Sequence, residues 1–262
     1  MSGRAIAGSR VLVTGASSGI GREIARQLAD QGALVLVTAR RAERLQQLVD
    51  QIVAQGGRAH AWAGDITRAE VRQQALQAAV ERYGGLDALV NNAGLGAEGP
   101  FMTADPTRLR AVMELNFFVP VELTRAALPL LRRGHQPIVV NIGSVLGHRA
   151  VPRKSEYCAS KFALHGFTDA LRAELAPLGI DVLLVSPSTT ESEFFDRSLE
   201  NKEPERSAMR GRAMPAGMVA RRTIRAMRQG RHEIILPATG KLLVWLDRVC
   251  PALADRLVAR YG

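Results

Sequence analysis

Tyr157 and Lys161 lie four residues apart in the stretch SEYCASK, residues 155–161, of a 262-residue chain with only three tyrosines and four lysines. If the stretch is helical, the two side chains share one face, one turn apart. A cation about 5 Å from a phenol, at an effective dielectric near 20, favours the phenolate by roughly 3 kcal/mol, or about two pKa units. That moves a tyrosine from about 10 toward neutrality and suits it to general acid or base work. The same pair also arises as an ordinary feature of a helix surface, so the rest of the chain has to supply a site. Ser144, at the end of VVNIGS and thirteen residues before Tyr157, adds a hydroxyl.

A second group of residues has the chemistry of a phosphate site. VTGASSGIG follows a short apolar run and opens a helical pattern; Gly15, Gly19 and Gly21 permit a tight turn, close approach of backbone to a pyrophosphate, and helix-to-sheet contact. Ser17, Ser18 and Ile20 fill the turn, and no Gly-Lys-Ser/Thr follows, which excludes a Walker-type loop. In dinucleotide sites an acid about 20 residues further on holds the adenosine ribose. Here that position is Ala39, with Arg40 directly after it. Losing the carboxylate removes repulsion toward a 2′-phosphate, and a guanidinium grips phosphate well, so NADP(H) is favoured over NAD(H). The alternative is that Arg40 and Arg41 are surface charges at a helix start. Asp65, in AGDIT, either accepts a bond from an adenine amino group or caps the next helix. Asn92, Ala93 and Gly94 belong to NNAG, whose amides fix backbone turns at a strand end without adding charge.

These groups need a scaffold. Short apolar runs, RVLVTG, ALVLVTA, AHAWAGD, DALVNNAG, PIVVNIGS, IDVLLVSPS and HEIILPA, alternate with helical stretches. Runs apolar on both faces and separated by helices predict a doubly wound α/β fold, a parallel sheet covered on both sides. The hydrophobic content of 47% suffices for one large core over residues 1–262. Two stretches break the rhythm. Residues 189–214 are charge-rich and too long for an ordinary connection, which marks a substrate lid. Residues 239–262 space Leu242, Leu246, Val249, Leu253 and Leu257 on one helical face, interrupted at Pro251. That face either packs on protein, its own domain or a second subunit, or meets a membrane surface or lipid substrate.

Two cysteines without CxxC spacing point to reduced thiols in a cytoplasmic protein, and neither a signal peptide nor a spanning segment is indicated. The net charge of +10 admits nucleic acid, an anionic membrane or a phosphorylated cofactor as partner. Only 5% of residues are aromatic and no basic run interleaves with them, which argues against a nucleic-acid platform. His60, His135, His165 and His232 show no ligand spacing, and no metal is expected.

Taken together, the TGxxxGxG, NNAG, Ser and YxxxK elements, in this order and spacing from about Arg10 to Phe195, resemble the short-chain dehydrogenase/reductase family. The resemblance implies that Tyr157 moves a proton, Ser144 polarises a carbonyl, and Lys161 binds the nicotinamide ribose while lowering the tyrosine pKa. Asn116, in MELNFFVP, matches the fourth catalytic residue and would hold a water linked to Lys161; otherwise it is an asparagine satisfying a helix kink. The implied protein is an NADP(H)-dependent carbonyl reductase or alcohol dehydrogenase, a homodimer or homotetramer acting on a small-molecule carbonyl or alcohol, hydrophobic ones included. Where the family has Pro-Gly followed by Thr, this chain has Pro187, Ser188 and, in the Thr position, Ser192, whose hydroxyl can serve the nicotinamide carboxamide. Some NADP-dependent members carry a basic residue at the position of Ser18, which leaves phosphate recognition mainly to Arg40. Phe194 and Phe195 are candidates to line the substrate pocket; His148 either joins them or is a solvated loop residue. A catalytically idle dinucleotide-binding scaffold and a basic nucleic-acid-binding module are the rival readings.

Overall fold

In a computed structural model, residues 3–194, 198–199 and 213–258 are described. Seven parallel strands form one sheet in the order β3-β2-β1-β4-β5-β6-β7. They are β1 (Arg10–Thr14), β2 (Leu34–Ala39), β3 (Arg58–Ala63), β4 (Ala88–Asn91), β5 (Ile138–Ile142), β6 (Asp181–Pro187) and β7 (Glu233–Leu236). The order steps outward one way from β1 to β3 and the other way from β4, so the chain switches direction between β1 and β4. Ligands of such sheets bind at the carboxyl ends of the strands beside that switch.

Period-two alternation along each strand divides the core in two. Val11, Val13, Val35, Val37, Ala88, Val90, Ile138, Val140, Leu183 and Val185 face one layer, and Leu12, Leu36, Leu89, Val139 and Val182 the other. The first layer is closed by α1 (Gly19–Asp30), α2 (Ala42–Ala54) and α7 (Ala216–Arg228), through Ile24, Leu28, Leu45, Leu48, Ile224 and Met227. The second is closed by α3 (Ala69–Tyr83), α5 (Val119–Leu131) and α6 (Ser155–Leu175), through Leu76, Leu123, Leu131, Leu171 and Leu175. Both faces are covered, as the doubly apolar strands require.

Between α4 (Pro106–Met113) and α5 lies a π-helical turn, Glu114–Phe118. No described helix is long and apolar enough to cross a membrane. The amphipathic C-terminal stretch forms α8 (Ala238–Val249) and α9 (Pro251–Val258), with the break at Cys250 that Pro251 predicts. Arg149 holds both helices, bonding Asp247 at 2.8 Å and also Asp255. Leu242, Trp245, Val249 and Leu253 remain exposed, so this stripe faces away from the domain's own core. Residues 195–197 and 200–212 of the expected lid, including Phe195, lie outside the described residues.

Candidate active site

The carboxyl edge of the sheet gathers the motif residues. Thr14, the last residue of β1, uses its buried hydroxyl to receive the backbone N–H groups of Asn92 and Ala93, each at 3.0 Å. Asn92 Nδ2 returns a bond to Thr14 O at 2.9 Å. NNAG thus clamps the glycine turn to the neighbouring strand end. Gly15 has a positive φ of 67°, and a Cβ there would stand 2.8 Å from Ala93 Cα. A Cβ on Gly21 would collide with the Asn92 amide. Both glycines therefore keep the start of α1 close against β4, leaving its N-terminus facing the crevice.

Arg41, rather than Arg40, reaches the turn. As the N-cap residue of α2 it donates to Ser17 Oγ at 2.8 Å and to Ser18 Oγ at 2.9 Å. Arg40 is exposed beside it, after β2 has ended at Ala39 without an acid. Asp65 Oδ1 accepts from Thr67 N at 3.1 Å and Thr67 Oγ1 at 2.9 Å, ordering the turn before α3, whose N-cap is Arg68. It braces a turn, and the cap that sequence spacing allowed for it falls three residues later.

Ser144, Tyr157 and Lys161 come together as the spacing anticipates. Ser144 follows β5, and its Oγ caps the 3₁₀ turn Val145–Gly147 by accepting from Leu146 N at 3.1 Å. Tyr157, in the first turn of α6, has the Ser144 side chain near enough to lower its pKa. Lys161 is buried one turn on, its Nζ donating to Ile142 O at 3.0 Å and lying 5.8 Å from the centre of the Tyr157 ring. The electrostatics differ from the expectation of a tyrosine near neutrality. Burial pushes Tyr157 up to about 12, and the Ser144 side chain offsets only part of this. Burial pushes Lys161 down to about 8. Desolvation penalises both charged forms and outweighs their mutual attraction, so at pH 7 the pair is a neutral phenol beside an ammonium.

Asn116 sits in the π turn with its amide engaged at both ends. Oδ1 accepts from Leu95 N at 2.8 Å, while Nδ2 donates to Leu95 O and Ser160 Oγ, both at 2.9 Å. These contacts support the kink-satisfying role: they fasten the turn to the segment after NNAG and to α6 next to Lys161.

Three features were not legible in the sequence. Arg108 of α4 forms a buried ion pair with Glu156, which immediately precedes Tyr157, donating to its carboxylate from both Nε and Nη2. Asn91 links through Asn141 to Thr168 in bonds of 2.9 Å, tying β4, β5 and α6 beneath the site. His148 helps wall a cavity of about 310 Å³ with Phe162, His165, Asp169 and Arg248. Its Nε2 lies 2.9 Å from Ser186 Oγ and 3.3 Å from Glu233. One donor atom each of His148, His165 and Glu233 falls within 4.8 Å of the others, a grouping that residue spacing could not show. The Arg248 cation borders the same cavity.

A small cavity of about 10 Å³ beside Tyr157 is lined by Ala97, Glu98, Lys154, Phe194 and Ser198. Phe194 meets the Tyr157 ring edge-on with centroids 5.8 Å apart. Ser188 is not among the residues with positive φ, so replacing glycine at this point demands no left-handed backbone. Ser192 lies over the glycine turn, its Cβ 2.9 Å from where a Cβ on Gly19 would stand.

Known proteins share this architecture. Residues 9–203 match the short chain dehydrogenase family. A ketoacyl reductase of Nostoc sp. is 30% identical over 98% of this chain and 90% of its own length. A short-chain dehydrogenase/reductase from Burkholderia phymatum, solved with NAD, superposes with a TM-score of 0.87 at 25% identity, covering 95% of this chain and 96% of that one. A short-chain dehydrogenase from Burkholderia cenocepacia, solved with NADP, gives 0.79 at 33% identity over 88% and 97%. With a parallel sheet, a glycine turn at its switch point and Ser144, Tyr157 and Lys161 on the adjoining edge, the chain belongs to the short-chain dehydrogenase/reductase family of oxidoreductases.

Proposed function

We propose that this protein is an NADP(H)-dependent carbonyl reductase or alcohol dehydrogenase in which Tyr157 is the general acid/base. The observation that carries the reading is the convergence of Ser144, Tyr157 and the buried Lys161 ammonium, one turn on from Tyr157 and 5.8 Å from its ring centre, beside a glycine turn. The site fits a dinucleotide: Gly15 and Gly21 are small where the turn meets β4, and the α1 N-terminus faces the crevice. Gly19, Ile20 and Gly94 would border its phosphates and nicotinamide, Asp65 its adenine, and Pro187 and Ser192 its carboxamide. Arg40 and Arg41, after a strand that ends without an acid, supply positive charge for a 2′-phosphate.

A bound reduced nicotinamide supplies the hydride for the carbonyl carbon. Tyr157 holds its proton at neutral pH and donates it from Oη to the carbonyl oxygen as negative charge develops there. Ser144 Oγ shares that oxygen and orients it. Lys161, charged below about pH 8, stabilises the phenolate left on Tyr157. Asn116 keeps α6 and the segment after NNAG in register, a positioning role. The ketoacyl reductase among its relatives supports a ketone on an apolar chain as substrate. The exposed stripe on α8 and α9 is the face we assign to a second copy in a homo-oligomer; a monomeric mass in solution would remove that part of the reading.

The test is oxidation of NADPH and NADH, followed by absorbance, with ketones, aldehydes, steroids and long-chain keto lipids. Turnover of at least one carbonyl class, faster with NADPH, is expected. Tight cofactor binding without turnover of any of them would instead support an idle dinucleotide-binding scaffold.

A further inference from the structure

Two histidines that the proposed reaction does not use meet a glutamate beside the cavity of about 310 Å³. His148 closes the short turn that begins at Ser144, His165 lies on α6 one turn beyond Lys161, and Glu233 opens β7. One donor atom from each lies within 4.8 Å of the others. The hydrogen bonds around them leave both rings incompletely satisfied. His165 Nδ1 is 3.1 Å from Gly147 O, and a carbonyl only accepts, so Nδ1 carries a proton and the neutral ring has its lone pair at Nε2. That lone pair faces a second acceptor, Asp169 Oδ2, at 3.3 Å. The His148 side chain is 2% accessible, with Nε2 2.9 Å from Ser186 Oγ and 3.3 Å from Glu233 Oε1. Its Nδ1 is buried with no hydrogen-bond partner among the described residues, so in neither tautomer are both nitrogens satisfied.

We propose that His148, His165 and Glu233 form a binding site for one divalent transition-metal ion of the zinc type, with Asp169 or water completing its coordination. None of these residues is assigned to hydride or proton transfer. Two imidazoles and a carboxylate suit Zn²⁺, Co²⁺ or Ni²⁺, whereas Mg²⁺ and Ca²⁺ take oxygen ligands. A metal-binding imidazole characteristically donates its other N–H to a carbonyl or carboxylate, and His165 Nδ1 does so to Gly147 O, which turns Nε2 toward the ion. Ligand atoms about 2.1 Å from a tetrahedral ion stand about 3.4 Å apart. The 3.3 Å separations of His165 from Asp169 and of His148 from Glu233 are of that size, and the partly exposed His165 and Glu233 side chains can close the rest. Glu233 and Asp169 together outweigh the charge of Arg248, which lines the cavity. The ion fastens the turn that carries Ser144 to α6 beyond Lys161 and to β7. Turn and helix already touch there, since a Cβ on Gly147 would stand 2.7 Å from Lys161 O.

The experiment takes the full-length chain without an affinity tag, strips it with EDTA, dialyses it, and titrates it with Co²⁺ followed by visible absorption and with Zn²⁺ by calorimetry. One ion per chain is expected, with visible Co²⁺ bands that Zn²⁺ abolishes. Zn²⁺ at about 100 times its Kd should raise the melting temperature by about 5–10 °C, and Mg²⁺ should leave it unchanged. His165→Ala and Glu233→Gln fall at partly exposed positions, chosen so that the fold is kept. Each should weaken Zn²⁺ and Co²⁺ binding by at least about tenfold to a hundredfold, the loss that even an outer-shell partner brings, and lose the melting shift. His232→Ala and Cys250→Ser, at exposed positions outside the cluster, should keep both. Absence of saturable binding overturns the proposal and leaves the cluster a hydrogen-bond network. Binding that either ligand variant leaves unchanged, or Mg²⁺ held as tightly as Zn²⁺, also overturns it. So does binding that His232→Ala or Cys250→Ser abolishes, which would mark an adventitious surface site.

Discussion

The α6 side of the site and the α2 side hold their charges in opposite ways. On α6, Lys161 and Glu156 are buried, and their partners are a strand-end carbonyl of β5 and Arg108 of α4, all on elements that the two cores lock in place. At the start of α2, Arg41 and Arg44 are partly exposed, and so is their partner Glu193, which belongs to the segment after β6. Buried polar groups cost a great deal when left unpaired, so the α6 arrangement is rigid. Exposed ion pairs contribute little, so the α2 arrangement can exchange one anion for another. Under the proposed function, the chemistry would fall on the buried side and the choice of cofactor on the exchangeable one.

The strongest way to break this contrast is at the reacting hydroxyl. Tyr157→Phe keeps the ring against Phe194 and removes the transferable proton. Turnover should fall by about 10²- to 10⁴-fold with cofactor affinity nearly unchanged. A rate near wild type, measured under saturating cofactor, would place the acid elsewhere. Next is the buried support: Arg108→Ala leaves Glu156 charged and unpaired beside Tyr157 and should lower unfolding free energy by about 3–5 kcal/mol in urea titrations. A loss of only a few tenths would make the pair incidental.

Lys161→Met separates stability from function. The Lys161 value in the folded protein, about 8, lies below the ordinary 10.5, so the unfolded chain holds that proton more tightly. The buried charge therefore costs stability below pH 8, and the cost fades as pH rises from 8 to 10.5. The raised value of Tyr157 acts in both proteins and cancels in their difference. The methionine variant should melt higher at pH 7, lose the advantage by about pH 10.5, and turn over poorly. A lower melting point at pH 7 would mean that the bond to Ile142 O outweighs desolvation. The smallest effects belong to α2. Arg41→Ala should weaken NADPH binding about tenfold to a hundredfold, the equivalent of a charge-assisted contact of about 1.5–3 kcal/mol, while NADH changes little. Arg40→Ala, on the exposed rim, should do less. Equal losses for both nucleotides would assign Arg41 to the turn itself, through Ser17 and Ser18.

The same contrast explains what the sequence could show. Alternating apolar runs revealed the parallel sheet because each strand is buried on both faces, and Ser144, Tyr157 and Lys161 were legible because local spacing on one strand end and one helix brings them together. Asn92 was found as part of a turn, though its bond to Thr14 spans 78 residues. The bonds of Arg41 to Ser17 and Ser18 were not legible, because no spacing shows which arginine of a helix start faces the glycine turn. Arg108–Glu156 and Glu193–Arg41 were invisible, since no periodicity connects residues 48 and 152 positions apart. The neutral Tyr157 was missed for a different reason: Coulomb attraction can be written from spacing, whereas desolvation depends on packing that only the folded chain supplies.

The claim at the centre of this account is that hydride and proton reach the two ends of one carbonyl, the proton from Tyr157. NADPH deuterated at the reactive nicotinamide carbon, incubated with a ketone that the protein turns over, tests it by mass spectrometry of the alcohol. Wild type should place one deuterium on the carbinol carbon at each turnover, and Tyr157→Phe should form almost none of that alcohol although it still binds the cofactor. Product alcohol without deuterium, or undiminished deuterium transfer by Tyr157→Phe, would contradict it.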